Sequence, residues 1–96
     1  MLTITQKAVA AMRKVTAHPR LAKTSGLRIA RKHPASDSLG VRAVQGPESD
    51  DLVVERDDGR LFLGPLAARR LRGKVLDARD DADGRIQFVL KTDQTD

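Results

Sequence analysis

The order of hydrophobic and polar residues predicts a helix near the start of the chain, preceded by a short strand. The strand is predicted over Leu2 to Ile4, and Thr5 is placed to cap a helix that runs to about Ala17 and is closed by His18-Pro19. Residues at helical spacing form one stripe along this segment: Ala8, Val9, Met12, Val15 and Thr16. The stripe predicts the face by which the helix packs on the rest of the domain.

Period-two alternation replaces helical spacing after the polar segment "PRLAKTSG". The segment "GLRIA" places Leu27 and Ile29 on one face and Arg28 on the other. The segment "LGVRAVQG" alternates in the same way, with Leu39, Val41 and Ala43 predicted to point inward against Arg42.

Two hairpins and a short helix are predicted in the second half of the chain. In "DLVVERDDGRLFL" the turn centres on Asp57-Asp58-Gly59, with glycine as the residue that takes positive φ. A short helix starts at Gly64-Pro65 and ends before Gly73. The second hairpin joins "KVLDARD" to "RIQFVL" through the turn "DADG", with Ile86, Phe88 and Leu90 on one face. The last residues, "KTDQTD", have no apolar content and are expected to fray.

These elements predict one α+β domain, mainly antiparallel β, over residues 1–91, with a frayed tail at 92–96. The chain contains no cysteine, which excludes disulfides, thiolate nucleophiles and thiolate-held metal or iron–sulfur sites made by this chain alone. No apolar run approaches the roughly 20 residues of a membrane span, and the N-terminal segment lacks a signal-peptide pattern. We therefore expect a cytoplasmic protein with no membrane partner.

The formal net charge is +5, from 18 basic and 13 acidic residues, and the densest basic run is "ARRLRGK". Its cations are Arg69, Arg70, Arg72 and Lys74. One interpretation is a solvated helix end, where the helix dipole favours cations. The alternative is a patch that binds nucleic acid or another polyanion. Nucleic acid is disfavoured as a partner because both phenylalanines lie in predicted strands, so no aromatic residue accompanies the basic run.

The segment "RKHPASDSLG", residues 31–40, gathers the side chains that most resemble a reactive site. His33 and Asp37 are weak candidates for metal ligands, because Pro34 disfavours a helix that would align them. We expect an exposed, metal-free connection between two strands. No residues form a recognisable catalytic motif, so an enzyme is not predicted. The turn "DADG" fails as a calcium loop, since Leu90 occupies the position that requires a bidentate glutamate.

The order and spacing of these elements resemble the HesB/IscA-like family, the A-type iron–sulfur carriers. The resemblance covers roughly residues 1–91 and is carried by "MLTITQKAVAAMRKV", "GLRIARK" and "DLVVERDDGRLFLGPLAARRLRGKVLDARDDADGRIQFVL". It implies a compact β-sandwich or barrel-like domain with a leading helix. It also implies a link to iron or iron–sulfur clusters, iron–sulfur assembly proteins as partners, and a homodimer or higher oligomer.

The chain departs from that family at every ligand position. The family uses three cysteines, and the resemblance places the first near Ser36 and the other two beyond Leu90. This chain has no cysteine near Ser36, and after Leu90 it reads only "KTDQTD". We therefore expect no cofactor, although the family implies iron or an iron–sulfur cluster. The resulting hypothesis is a scaffold or partner-docking protein that has lost cluster ligation; the alternative is a polyanion-binding module.

Overall fold

The computed structural model describes residues 2–16 and 24–92, which form two helices and seven strands in two sheets. The elements are β1 (Thr3–Ile4), α1 (Gln6–Thr16), β2 (Gly26–Arg31), β3 (Leu39–Val44), β4 (Leu52–Arg56), β5 (Gly59–Leu63), α2 (Pro65–Arg70), β6 (Lys74–Asp80) and β7 (Ile86–Thr92). One sheet has the strand order β3-β2-β5-β4, and the other has the order β1-β6-β7. The predicted α+β class is confirmed.

The start of α1 forms as its capping residue predicts. Thr5 Oγ1 accepts a hydrogen bond of 3.2 Å from the backbone N–H of Ala8, and the Thr5 carbonyl accepts one of 2.9 Å from Val9. The predicted stop at His18-Pro19 lies outside the described residues.

The core lies between α1 and the two sheets. Its buried members are Ala8, Ala11, Met12, Leu27, Ile29, Leu61, Leu63, Ala67, Leu71, Leu76 and Ala78. Ile4, Leu39, Val54 and Phe88 are among the partly buried side chains packed around them. The inward prediction for Leu27 and Ile29 is confirmed, because both are almost completely buried.

Two of the strand pairings are parallel, which the period-two pattern does not predict. β1 pairs with β6, and β2 pairs with β5, each in parallel register. The other three pairings are antiparallel: β2 with β3, β4 with β5, and β6 with β7. The parallel β2–β5 pair makes β2 and β5 the central strands of their sheet and leaves β3 and β4 at its edges.

The edge position of β3 corrects the inward prediction for two of its residues. Val41 and Ala43 pair with Ile29 and Leu27 and share their face of the sheet, yet both side chains are exposed. Leu39 alone of the three packs partly against the core. Alternation sets the face to which a side chain points, but burial also requires that another layer cover that part of the face.

The β4–β5 hairpin forms as predicted, but glycine does not take the positive φ. The turn residues Asp57 and Asp58 have φ of 48° and 70°, the left-handed pair typical of a two-residue hairpin loop. Gly59 instead provides space, since a Cβ atom there would lie 3.0 Å from Cβ of Met12 on α1. Glycine therefore lets the helix approach the turn closely at this position.

The short helix and the second hairpin also match their predictions, with one correction at the end of β7. α2 starts at Pro65, and Gly73 follows its end with φ of 76°. Ile86, Phe88 and Leu90 lie on one face of β7 as predicted; Phe88 packs against the core, and Ile86 and Leu90 are exposed. β7 continues through Thr92, so Lys91 and Thr92 belong to the strand instead of a frayed tail. Residues 93–96 lie outside the described part of the chain.

Candidate functional site

The loop between β2 and β3 is a compact polar turn. Lys32 N–H donates to the Ser38 carbonyl at 3.0 Å, and Ser36 N–H donates to the His33 carbonyl at 2.9 Å. The Ser36 hydroxyl accepts a hydrogen bond of 3.0 Å from Ser38 N–H. His33 and Asp37 are exposed, as predicted for this connection, and Ser36 is half-buried. The Ser36 hydroxyl, near the predicted first-cysteine position, is therefore used within the turn itself.

Two arginines attach this loop to the domain. Arg31 Nη1 donates to the Ser36 carbonyl at 3.1 Å and to the Asp37 carboxylate at 3.2 Å. Arg70, on α2, donates to the Asp37 carbonyl. Within residues 2–16 and 24–92, no three His, Asp or Glu side chains converge in a way that could hold a metal ion. His33 and Asp37 thus have no third ligand of these types in that part of the chain.

The end of β7 lies near the same side of the molecule as the start of β3. An open cavity of about 420 Å³ is lined by Leu39, Arg70, Leu71, Lys74, Leu90 and Lys91. Arg70 also contacts the 32–38 loop, so this cavity is close to both segments where the resemblance places cysteines. Its lining consists of three leucines and three cations, and it is called here the leucine cavity.

The basic run after α2 is divided between two surfaces. Arg70 and Lys74 line the leucine cavity, whereas Arg69 lines a different cavity of about 400 Å³. Arg72 lies in the turn after the helix, is exposed, and lines neither of these two cavities. Consecutive helical residues diverge by about 100° around the axis, so Arg69 and Arg70 cannot share one face.

The second cavity gathers basic side chains from three elements and is called here the basic cleft. Its cations are Arg28, Arg31, Lys32, Arg42 and Arg69, and His33 and Pro34 lie at its border. From the sequence alone, no functional role is predicted for Arg28, Lys32 or Arg42. The alternation of Arg28 and Lys32 with Leu27 and Ile29 does indicate that both cations point away from the core, on one face of the sheet.

One end of the basic cleft is held by a network of ion pairs. Arg28 Nε and Nη2 donate to the two carboxylate oxygens of Asp51 at 2.8 and 3.0 Å, and Arg28 Nη1 lies 3.3 Å from Glu48. The Asp51 side chain is fully buried, and that of Arg28 is 13% exposed. The hydrogen bonds from Arg28 lower the pKa of Asp51, and the same bonds raise the pKa of Arg28. Arg28 is therefore fixed in position and remains charged.

The small residues of the basic cleft determine its depth. Ala30 and Gly64 line it, and a Cβ atom at Gly64 would lie 3.2 Å from Nη2 of Arg28. A Cβ atom at Gly40 would lie 3.1 Å from Cγ of Lys32, so the stem of Lys32 crosses that glycine. Larger residues at these positions would displace the two cations.

No helix among residues 2–16 and 24–92 combines the length and hydropathy of a membrane span. No protein-family model matches the sequence, and a search of curated proteins finds no match.

Two solved structures are similar to this chain over most of its length. One is SufA of Escherichia coli, which is involved in the biosynthesis of iron–sulfur clusters. It has a TM-score of 0.68 and 26% sequence identity, over 95% of this chain and 84% of SufA. The other is IscA with a 2Fe-2S cluster, with a TM-score of 0.61 and 21% identity, over 96% of this chain and 82% of IscA. This chain therefore has the HesB/IscA-like fold of the A-type iron–sulfur carriers, in a form that contains no cysteine.

Proposed function

We propose that this protein belongs to iron–sulfur cluster assembly but does not ligate a cluster itself. In this proposal it is a scaffold that docks to a partner of the same process, and it is not an enzyme. It would carry no resident cofactor. The proposal rests on one observation: the carrier fold extends over 95% of the chain, while the chain contains no cysteine.

Ligand chemistry supports the loss of cluster binding. Iron–sulfur clusters are held by cysteine thiolates, with histidine as an occasional substitute. Ser36 stands near the predicted first ligand, and its hydroxyl accepts a hydrogen bond from the backbone of its own turn. A serine hydroxyl loses its proton far less readily than a thiol, so it is a poor replacement for a thiolate at neutral pH.

The leucine cavity supports the same conclusion. Leucine side chains have no donor atoms for a metal, and the guanidinium of Arg70 has no free lone pair. Lys74 adds a further positive charge at the cavity, and Lys91 lines it while paired with Asp77 at 2.9 Å. These charges disfavour an iron cation through electrostatic repulsion, and they would suit an acidic side chain of a docked protein.

Anaerobic reconstitution tests the loss of ligation. The purified protein is incubated with ferrous iron, sulfide and a thiol reductant, then desalted, and its iron, acid-labile sulfide and visible absorption are measured. We expect no retained cluster. IscA, whose structure contains a 2Fe-2S cluster, is the positive control in the same experiment. Stoichiometric iron and sulfide with visible absorption would refute the proposal.

Docking is tested separately with purified proteins. Sedimentation of the chain alone measures whether it forms a homodimer, and mixtures with SufA or IscA measure whether it joins an assembly protein. We expect a complex that weakens when Lys74 is changed to glutamine. Lys7→Gln, at an exposed position of α1, removes the same charge and is the control. A chain that stays monomeric and binds neither protein would contradict the docking role.

Polyanion binding through Arg69, Arg70, Arg72 and Lys74 is the alternative function. It has less support, because the basic run is divided between two surfaces. Binding of duplex DNA or RNA that falls steeply with salt, and that fails when Arg69, Arg70 and Arg72 are changed to alanine, would favour it.

A further inference from the structure

Three cations of the basic cleft have no counter-ion within the described part of the chain. They are Lys32 just after β2, Arg42 on β3 and Arg69 on α2, and none of them is in an ion pair with residues 2–16 or 24–92. All three line the same cavity of about 400 Å³. The cleft therefore concentrates positive charge that the described structure does not neutralise.

The carboxylates near the cleft are already engaged. Glu48 is the acidic residue that lines the cleft among the described residues, and it lies 3.3 Å from Arg28. Asp51 is buried against the same arginine. Arg31 pairs with the carboxylate of Asp37 at 3.2 Å. The excess charge thus comes from Lys32, Arg42 and Arg69.

The register of the sheet brings two arginines together on this surface. Arg42 lies directly opposite Arg28 in the β2–β3 pair, and both side chains point to the same face. Like charges in such a cross-strand pair destabilise the sheet. Asp51 and Glu48 neutralise Arg28, but no acidic side chain of the described residues pairs with Arg42. An external anion between the strands and α2 would neutralise Arg42.

The size of the cleft favours a small molecule over a polymer. Pockets for small ligands typically measure roughly 300–1,000 Å³, and the basic cleft has about 400 Å³. Neither phenylalanine lines it, so it offers no aromatic surface on which the bases of a single strand could stack. Pro65 and Leu66 supply an apolar border beside the cations.

We infer that the basic cleft binds a small phosphate-bearing anion, with Lys32, Arg42 and Arg69 as the contacting cations. A phosphate or diphosphate group carries multiple negative charge, which suits three cations that have no counter-ion among residues 2–16 and 24–92. Arginine suits this ligand because its planar guanidinium donates two parallel hydrogen bonds to phosphate oxygens. This inference is independent of cluster ligation.

Titrations with three probes test the inference. The purified full chain is titrated with inorganic phosphate, pyrophosphate and ADP at low, matched ionic strength, by calorimetry and by amide chemical shifts. We expect saturable binding of at least one probe, with shifts concentrated at Lys32, Arg42 and Arg69. Preference for ADP over pyrophosphate would indicate a nucleotide-type ligand, and the reverse preference an inorganic diphosphate. No saturable binding of any probe would overturn the inference.

Single substitutions locate the site. Arg42→Ala and Arg69→Ala should each weaken binding about tenfold, the loss expected for a charge-assisted hydrogen bond. Arg13→Ala removes the same charge from the exposed face of α1, away from the cleft, and should leave affinity unchanged. Circular dichroism establishes that each variant is folded, and Arg69→Gln provides a second variant if Arg69→Ala is unfolded.

Two results would refute a cleft site even if anions bind. Equal weakening by Arg13→Ala would mean that net charge alone attracts the probes. Binding of duplex DNA that depends on Arg42 and Arg69, with no binding of the small phosphates, would identify the cleft as a nucleic-acid surface and overturn the inference.

Discussion

Thr5 and Asp77 join the two ends of the domain through one hydrogen bond. Thr5 Oγ1 donates to Oδ1 of Asp77 at 2.7 Å, although the residues are 72 positions apart. Asp77 also accepts hydrogen bonds of 2.8 Å from the backbone N–H of Ala78 and 2.9 Å from Lys91 Nζ. The same carboxylate therefore links the start of α1 to both β6 and β7.

The Asp77 carboxylate should make folding stability dependent on acid pH. Its hydrogen bond from Thr5, followed by those from Lys91 and Ala78, holds the pKa of Asp77 well below its ordinary value of 3.8. Because the folded-state pKa is the lower one, its stabilisation is present above about pH 4 and is lost as pH falls towards the folded-state pKa. Denaturant unfolding of the wild type below about pH 4 should show this loss.

The Asp77→Asn variant should show a smaller decrease of unfolding free energy over that acid range. Asp80→Asn, at an exposed position of the same strand, serves as the control for the removal of one carboxylate. If Asp77→Asn retained the full pH dependence of the wild type, the proposed role of the Asp77 hydrogen bonds would be wrong.

Thr5 acts twice, as the cap of α1 and as the donor to Asp77. Thr5→Val removes the hydroxyl with little change in volume and should lower the unfolding free energy by about 1–2 kcal/mol. Thr5→Ser keeps the hydroxyl and should remain within about 0.5 kcal/mol of the wild type. Urea unfolding at neutral pH measures both, and equal losses in the two variants would contradict the role of the hydroxyl.

The β4–β5 turn offers opposite predictions at adjacent positions. Asp58 has φ of 70°, so Asp58→Gly should stabilise the protein by roughly 0.5–1 kcal/mol, through an Asp-Gly turn. Gly59→Ala should destabilise it by about 1–3 kcal/mol, because the added Cβ would lie 3.0 Å from Met12 Cβ. Thermal unfolding of both variants tests the assignment, and a neutral Gly59→Ala would disprove the close helix contact.

The buried pair of Arg28 and Asp51 should contribute more than the exposed pair of Arg31 and Asp37. Asp51→Asn removes the buried carboxylate that accepts two hydrogen bonds from Arg28, leaving the exposed Glu48 as its charged partner, and should cost about 2–3 kcal/mol. Asp37→Asn should cost less than about 1 kcal/mol, since both side chains are largely exposed. Chemical unfolding measures the free energy of unfolding of both variants. Similar decreases in the two variants would show that burial does not make one ion pair more stabilising than the other.

Local chemistry was sufficient to predict most of the elements. The Thr5 cap, the Pro65 start of α2 and the inward position of Leu27 and Ile29 depend on neighbouring residues, so they can be inferred from a short segment. The edge position of β3 cannot be inferred in this way, because it depends on pairing between strands that are far apart in the sequence. This is why Val41 alternates correctly and is nevertheless exposed.

The candidate sites show the same division. The sequence by itself determined that the chain has no thiolate for metal or redox chemistry, because no fold can supply an absent atom. The geometry of a helix already separates Arg69 from Arg70. The packing of α2 against the sheet is what brings Arg69 beside Lys32 and Arg42. The physical reason is that residue type is a property of the chain, whereas the convergence of charges depends on strand register and on the packing of α2 against the sheet.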